Sequence, residues 1–185
     1  RRVEPRREFL AAKDSWFRPV NFYVGPDGAL YVIDYHRGIV EHPEWMDDAT
    51  AASGRLQDGS DKGRIYRITP EGEAPATWMH TLDLGKASSE VLVTRLASAN
   101  AWWRQQAQRL LVDRGAVDVA DGLVDVVTSN ERPEARLHAL WTLDGLGILA
   151  PPVVLTALGE PHPGVRENAI ILAERHVRNR PDVQD

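Results

Sequence analysis

The sequence predicts a mixed chain in two parts, a small antiparallel sheet followed by an all-α stack of helix pairs. Three observations predict it. Residues 17–42, FRPVNFYVGPDGALYVIDYHRGIVEH, hold two apolar stretches that meet at a Pro-Asp-Gly turn. From Ser88 onward the apolar period changes from two to about 3.6. An Arg-x-x-Ala motif recurs at Arg104, Arg136 and Arg166, at intervals of 32 and 30 residues, which marks an internal repeat.

The sheet is built in order along the chain. Residues 1–13 are basic and polar around a short apolar core, Phe9 to Ala12, which reads either as an edge strand or the end of a preceding strand element, or as a frayed terminus. Asp14 to Pro19 leads into the first strand, because the residue before a proline is held extended. Val20, Phe22 and Val24 then alternate with Asn21 and Tyr23, and Leu30 to Tyr35 is apolar on both faces, as in a sheet sandwiched between neighbours. Pro26 presets φ at the second turn position, Asp27 can accept from its own backbone, and Gly28 takes the fourth position of a type I turn. The two strands therefore pair antiparallel, which brings Asp14 to Pro19 beside the loop that opens at His36. Arg64 to Thr69 reads as a third strand closed by the Pro70-Glu71-Gly72 turn.

A three-stranded sheet with two apolar faces cannot stand alone in water. It reads as the terminal blade of a β-propeller whose other blades lie upstream. The chain starts RRVEPRREF, with no Met and no secretory apolar run, and so reads as a piece of a longer protein. The expected layout is a blade at 1–71, a linker at 72–87, helical repeats at 88–179 and a tail at 180–185.

Three helix pairs are expected in the second part. Their first helices are Ser89–Ala97, Val119–Val127 and Pro152–Leu158. Their second helices are Ala101–Asp113, Pro133–Leu146 and Val165–Val177. A pair with a period near 30 residues cannot bury its apolar stripe alone, so the pairs are expected to stack as a right-handed α-solenoid. The pattern resembles short HEAT repeats, in which the arginine at this register pairs with an acidic side chain of an adjacent repeat. That resemblance implies a structural ladder of Arg104, Arg136 and Arg166. Trp102, Trp103 and Trp141 fall on these helices, where large aromatics are expected in the core.

Charge and composition exclude some functions. The formal net charge is −5, spread over both halves, so no basic face is offered to nucleic acid or an anionic membrane. There is no cysteine, which removes disulfides, thiolate metal sites and thiol nucleophiles from this segment. No apolar run approaches the roughly 20 residues of a membrane span.

The loop from His36 to Lys62 is far longer than an ordinary strand connection, and long loops on rigid sheets are where function concentrates. An inner helix is expected there, with Pro43 at its first position, Glu44, Asp47 and Asp48 near its N-terminal end, and Gly54 ending it. His36, Glu41, His42, Glu44, Asp47 and Asp48 crowd this loop, with Asp34 and Arg37 beside them and Arg18 facing it. Imidazole with carboxylates is the material of an acid-base pair or a divalent-metal site, which makes His36 and His42 the candidate catalytic residues. The spacing matches no metal motif. The alternative is that Arg18, Asp34, Arg37 and Glu41 form ion pairs that hold the loop, with Arg37–Glu41 foremost. Asp58 to Gly63 reads as a turn, since it lacks the ligand positions of a calcium loop. His138 and His176 lie on helices and are expected to be capped or solvated.

The residues REFLAAKDSWFRPVNFYVGPDGALYVIDYHRGIVEH, with GRIYRI after them, resemble the end of the propeller in bacterial membrane-bound dehydrogenase-like proteins of planctomycete and verrucomicrobial type. That propeller is similar to those of quinoprotein glucose and sorbosone dehydrogenases. In this group HEAT-like repeats follow the propeller, as ASANAWWRQQAQRLLVDRG and ARLHALWTLDGLG do here, and a c-type cytochrome domain usually comes next. The resemblance implies a parent that oxidises a sugar or polyol with pyrroloquinoline quinone and calcium. It also implies a c-type haem in a downstream domain and an extracytoplasmic location, periplasmic or membrane-associated. The family's catalytic histidine and calcium ligands have no counterpart that can be placed on this segment, so no cofactor is expected within it. The alternative is a non-catalytic scaffold whose solenoid binds a protein or whose blade binds carbohydrate.

Overall fold

The structure is a computed structural model that describes residues 6–73 and 76–178. The expected tail at 180–185 and the last expected repeat residue, 179, lie outside the described residues. The chain is a mixed one, a three-stranded antiparallel sheet followed by helices, divided into two compact units, Arg1–Pro75 and Ala76–Asp185.

In the first unit, β1 (Pro19–Val24), β2 (Leu30–Asp34) and β3 (Arg64–Ile68) form an antiparallel meander in the order β1-β2-β3. The strands lie where alternation and the turn residues put them. Phe22 and Tyr66 flank Val32 across one face, and Asn21 and Ile65 flank Ile33 across the other. Gly28 N–H donates to Gly25 O at 3.0 Å with Gly28 at φ +80°, so the turn needs a glycine at its end. Asp27 then serves as the buried pin of the hairpin. Its Oδ2 accepts from Arg67 Nε at 2.6 Å and Tyr31 Oη at 3.3 Å, tying the turn to β3. Burial alone would raise the Asp27 pKa, but the Arg67 guanidinium and the Ala29 N–H together hold it below its ordinary value.

Two readings for this unit are corrected. Phe9 to Ala12 form no strand and are exposed. The inner helix of the long loop does not start at Pro43. A 3₁₀ turn occupies Pro43–Trp45, then α1 (Asp48–Ala52) begins at an Asp47 cap whose Oδ1 accepts from Thr50 N–H at 2.8 Å. Asp47 competes for the backbone as a cap, and that splits the helix. Both sheet faces stay open, as expected of a blade without its neighbours: Phe22 is 53% exposed on one face, and Tyr23 and Ile65 are 60% and 68% exposed on the other.

In the second unit, α2 (Ser89–Arg95) packs on α3 (Ala101–Asp113), α4 (Ala120–Ser129) on α5 (Pro133–Gly145), and α6 (Pro151–Leu158) on α7 (Pro163–Arg178). Pairs also pack on each other, α3 against α5, α5 against α7, α2 against α4 and α4 against α6. Ser88 and Asn100 cap α2 and α3, and Pro133, Pro151 and Pro163 open α5, α6 and α7, where a missing N–H costs nothing. The alanine of each Arg-x-x-Ala motif, Ala107, Ala139 and Ala169, is fully buried. A small residue at that register lets the two helices of a pair approach closely, and Leu92, Leu111, Leu123, Leu143 and Leu172 fill the space around it. The segment expected as a linker carries 3₁₀ turns at Thr77–Thr81 and Leu84–Lys86, and Arg114 donates to the carbonyls of Gly85 and Ala87, which fixes the second turn to the end of α3.

Candidate functional site

The polar centre of the sheet unit forms at the end of β2, where the chain leaves the sheet. Asp34 is 1% exposed, and His36, two residues on, is 3% exposed. Asp34 Oδ1 accepts from the backbone N–H groups of Arg18 (2.8 Å) and His36 (2.9 Å), and Oδ2 lies 3.4 Å from His36 Nδ1. Burial pushes the Asp34 pKa up, but the two backbone donors and the imidazole outweigh it, and the carboxyl sits below its ordinary value. The carboxylate can only accept, so His36 Nδ1 faces it with a proton. Asp14 Oδ2 lies 4.0 Å from the same Nδ1, and the Trp16 ring packs against the imidazole at 5.9 Å between centroids.

Backbone geometry holds this arrangement. His36 has φ 49°, a left-handed conformation that a residue with a Cβ adopts only when its surroundings impose it. The imposition comes from both sides. Tyr35 N–H donates to Arg18 O at 2.9 Å and Arg37 N–H to Trp16 O at 3.1 Å, so the entry segment and the loop run side by side as the strand pairing requires. On the other side Gly59 packs directly on the His36 carbonyl, where a Cβ would lie 2.5 Å from the oxygen, and Arg37 Nη1 donates to Gly59 O at 2.6 Å.

Some sequence-predicted residues converge here and others do not. Asp34, His36, Arg37 and Arg18 belong to one network. Arg18 does not pair with a loop carboxylate: its guanidinium donates to the carbonyls of Ser15, Phe17 and Gly38, and only its backbone N–H reaches Asp34. Arg37 likewise goes to the carbonyls of Tyr35, His36 and Gly59 rather than to Glu41, and its guanidinium lies 4.3 Å over the Tyr35 ring. Carbonyls left unpaired where a strand ends are stronger claimants on a guanidinium than an exposed carboxylate in water. Glu41 accepts from the His42 N–H, and His42 is exposed, 4.0 Å from Glu44 and packed on Trp45. His42 therefore lies outside the network. Asp14, Trp16 and Gly59 are members that sequence reasoning missed. The signal for Asp14 and Trp16 was the strand pairing itself, which places their segment beside His36.

An imidazole oriented by a carboxylate is the arrangement of a general base. Here the ring is enclosed, and an open hollow of about 380 Å³ at this end of β2 and β3 is lined by Tyr35, Arg37, Ser60 and Arg64 with Asp34. The Asp34–His36 network offers no set of ligands for a calcium ion. Asp34 spends its oxygens on backbone donors and His36, and no group of three or more His, Asp or Glu able to hold a metal occurs among the described residues. What this network does is lock the loop entrance.

The repeat arginines act within their own pair. Arg104 donates to the carbonyls of Ser98 and Ala99, Arg136 to that of Asn130, and Arg166 to those of Glu160 and Pro161, so each caps the chain just past the end of the preceding helix. Among the described residues, the acid partner in an adjacent pair is seen for Arg136 alone, through Glu160. Pairs are also linked by His138 Nδ1 to Gln108 Oε1 (2.6 Å), Trp141 Nε1 to Asn168 Oδ1 (2.9 Å), and Arg175 and His176 to Asp144 (2.9 and 3.3 Å). His138 and His176 are thus engaged between helices. Trp102, Trp103 and Trp141 are half-buried rather than core residues.

A family model described as a domain of unknown function (DUF7133) matches residues 1–72, which span the sheet unit as far as the turn after β3. No curated protein and no solved structure matches the chain.

Proposed function

We propose that the sheet unit is a propeller blade and the helical unit a HEAT-like solenoid. Both would be framework parts of a longer, extracytoplasmic dehydrogenase-like protein that oxidises a sugar or polyol. The observation that supports this reading is the exposure of Phe22 on one sheet face and of Tyr23 and Ile65 on the other. Large apolar side chains on both faces of a three-stranded sheet call for neighbouring sheets on both sides, which is the environment of a blade. Asp34 and His36 act as the lock of the blade's loop, and no catalytic step is assigned to them. The quinone, the calcium and their ligands belong to other blades, and the haem belongs to a cytochrome-like domain. No helix among the described residues is long and apolar enough to cross a membrane.

The test is on the parent protein. Purified with pyrroloquinoline quinone and calcium, it is expected to reduce an electron-accepting dye with at least one of a panel of sugars and polyols, and only when the quinone is present. Neither turnover nor quinone binding would sink the dehydrogenase reading and leave the scaffold reading, in which the solenoid engages a protein partner.

A further inference from the structure

The helical unit carries a second built hollow, unrelated to the Asp34–His36 network. It has a volume of about 530 Å³, within the range of small-molecule sites, and Trp78, Leu82, Asp83, Val91, Arg95 and Trp103 line it. Its floor is aromatic. Trp78 and Trp103 are stacked with centroids 6.1 Å apart at 29°, Trp102 braces Trp103 edge-on at 5.1 Å, and Trp78 remains 45% exposed. Its rim is charged. The Arg95 guanidinium lies 4.7 Å over the Trp103 ring, and Asp83 stands opposite in an ion pair with Lys86 at 2.7 Å.

The hollow is preformed. The turn that carries Trp78 is closed by Thr81 Oγ1 donating to Trp78 O at 2.9 Å, and Arg114 fixes the next turn through the carbonyls of Gly85 and Ala87. Trp78 thus stands half-exposed on a turn closed by Thr81, next to a turn that Arg114 holds.

We propose that this hollow binds a neutral saccharide, with one pyranose ring lying on the outer face of Trp78. A pyranose has a face of polarised C–H groups that suits the negative face of an indole, and a rim of hydroxyls that needs both donors and acceptors. Arg95 supplies donors and Asp83 supplies an acceptor. Other ring-binding chemistries fit less well. Arg95 already occupies the cation position over Trp103, so a quaternary ammonium would meet like charge. The two indoles touch each other and leave no slot for a prolyl ring, and Asp83 opposes the phosphate of a nucleotide. The inference stands on the helical unit alone and does not depend on the dehydrogenase reading.

The test is titration of the 185-residue chain with maltohexaose, cellohexaose and xylohexaose, by calorimetry and by the indole N–H signals in NMR, with AMP and decaproline as comparators. Saturable binding of at least one hexasaccharide is expected, with the Trp78 and Trp103 signals moving most. Trp78→Ala is expected to weaken it by about tenfold or more, which is the order of one stacked ring. Arg95→Gln, which leaves both indoles in place, is expected to weaken it too, and Trp141→Phe to leave it unchanged. The proposal is overturned by no saturable response to any hexasaccharide. It is equally overturned if binding survives both Trp78→Ala and Arg95→Gln, or if AMP or decaproline binds in place of sugar.

Discussion

The two units are held together by opposite means. In the helical unit the interior is apolar and continuous, running from Leu92 through Leu123, Leu140 and Leu143 to Leu172. Among the described residues of the sheet unit, glycines apart, those buried are Ala29 and Val32 together with the polar Asp34 and His36. Three β-strands, which could each bury one face, instead leave apolar side chains in water and spend their burial on a hydrogen-bonded corner. A unit held by an apolar core keeps its stability through the sum of many small contacts. A unit held by a few buried carboxylates loses much of its organisation if one is lost, because each orphaned donor then carries its full desolvation cost.

The largest single effect expected is in the helical unit. Leu143→Ala opens a cavity in the middle of the core and is expected to cost about 3 kcal/mol, read as a drop in the helical melting transition by circular dichroism. If the two units are independent, protease resistance of the sheet unit stays as it was. Asp34→Ala comes close behind, at about 3 kcal/mol, because it strands the N–H groups of Arg18 and His36 as well as the imidazole. Its signature is the reverse: rapid cleavage within residues 1–75 with the helical transition unmoved. A helical transition that falls together with the sheet would break the comparison. Gly59→Ala is smaller, at about 2 kcal/mol, from the strained φ of +87° alone, with the contact on the His36 carbonyl adding to it. Gly28→Ala has a similar φ and open space around it, so it should cost less than Gly59→Ala when the two are compared by limited proteolysis. Equal costs would mean that Gly59 does not press on His36.

The same contrast explains what could be read from the sequence. The helix pairs were legible almost to the residue, Ala101–Asp113 included, because an apolar core imposes a period that the sequence must carry. The three strands and the Pro-Asp-Gly turn were legible for another reason, strand alternation and the conformational preferences of the turn residues. The lock was only half legible. Asp34, His36, Arg18 and Arg37 were singled out, but ion pairs were expected where the structure uses backbone carbonyls and N–H groups. Backbone acceptors carry no residue type, so Arg18, Arg37, Arg104 and Arg166 leave no trace in the sequence of where they donate. Among the described residues, Arg136 alone shows the acidic partner that the HEAT resemblance implied. The stacked Trp78 and Trp103 were missed because they come from a turn and a helix with different periods.

The smallest effect sharpens the comparison furthest, since acid should dissolve the two units at different pH. His138 is half-buried on α5, with Gln108 on its Nδ1 and with Arg104 and Glu134 near it. Burial lowers its pKa, and the Arg104 charge adds to that against a smaller opposing pull from Glu134. The folded helical unit therefore binds a proton at His138 less readily than the unfolded chain does. The stability this brings is complete above the ordinary value of 6.5 and declines as the pH falls below it. In the sheet unit Asp27 and Asp34 are both lowered from 3.8, so the stability they bring is complete above that value and is lost only as the pH falls below it, toward their folded pKa values. Between pH 7 and 5 the helical transition should weaken while protease resistance of residues 1–75 holds, and below pH 4 the sheet unit should follow. His138→Gln should remove the first of these steps and leave the second. If the helical transition of that variant still weakens between pH 7 and 5, His138 is not the group that links the helical stack to pH.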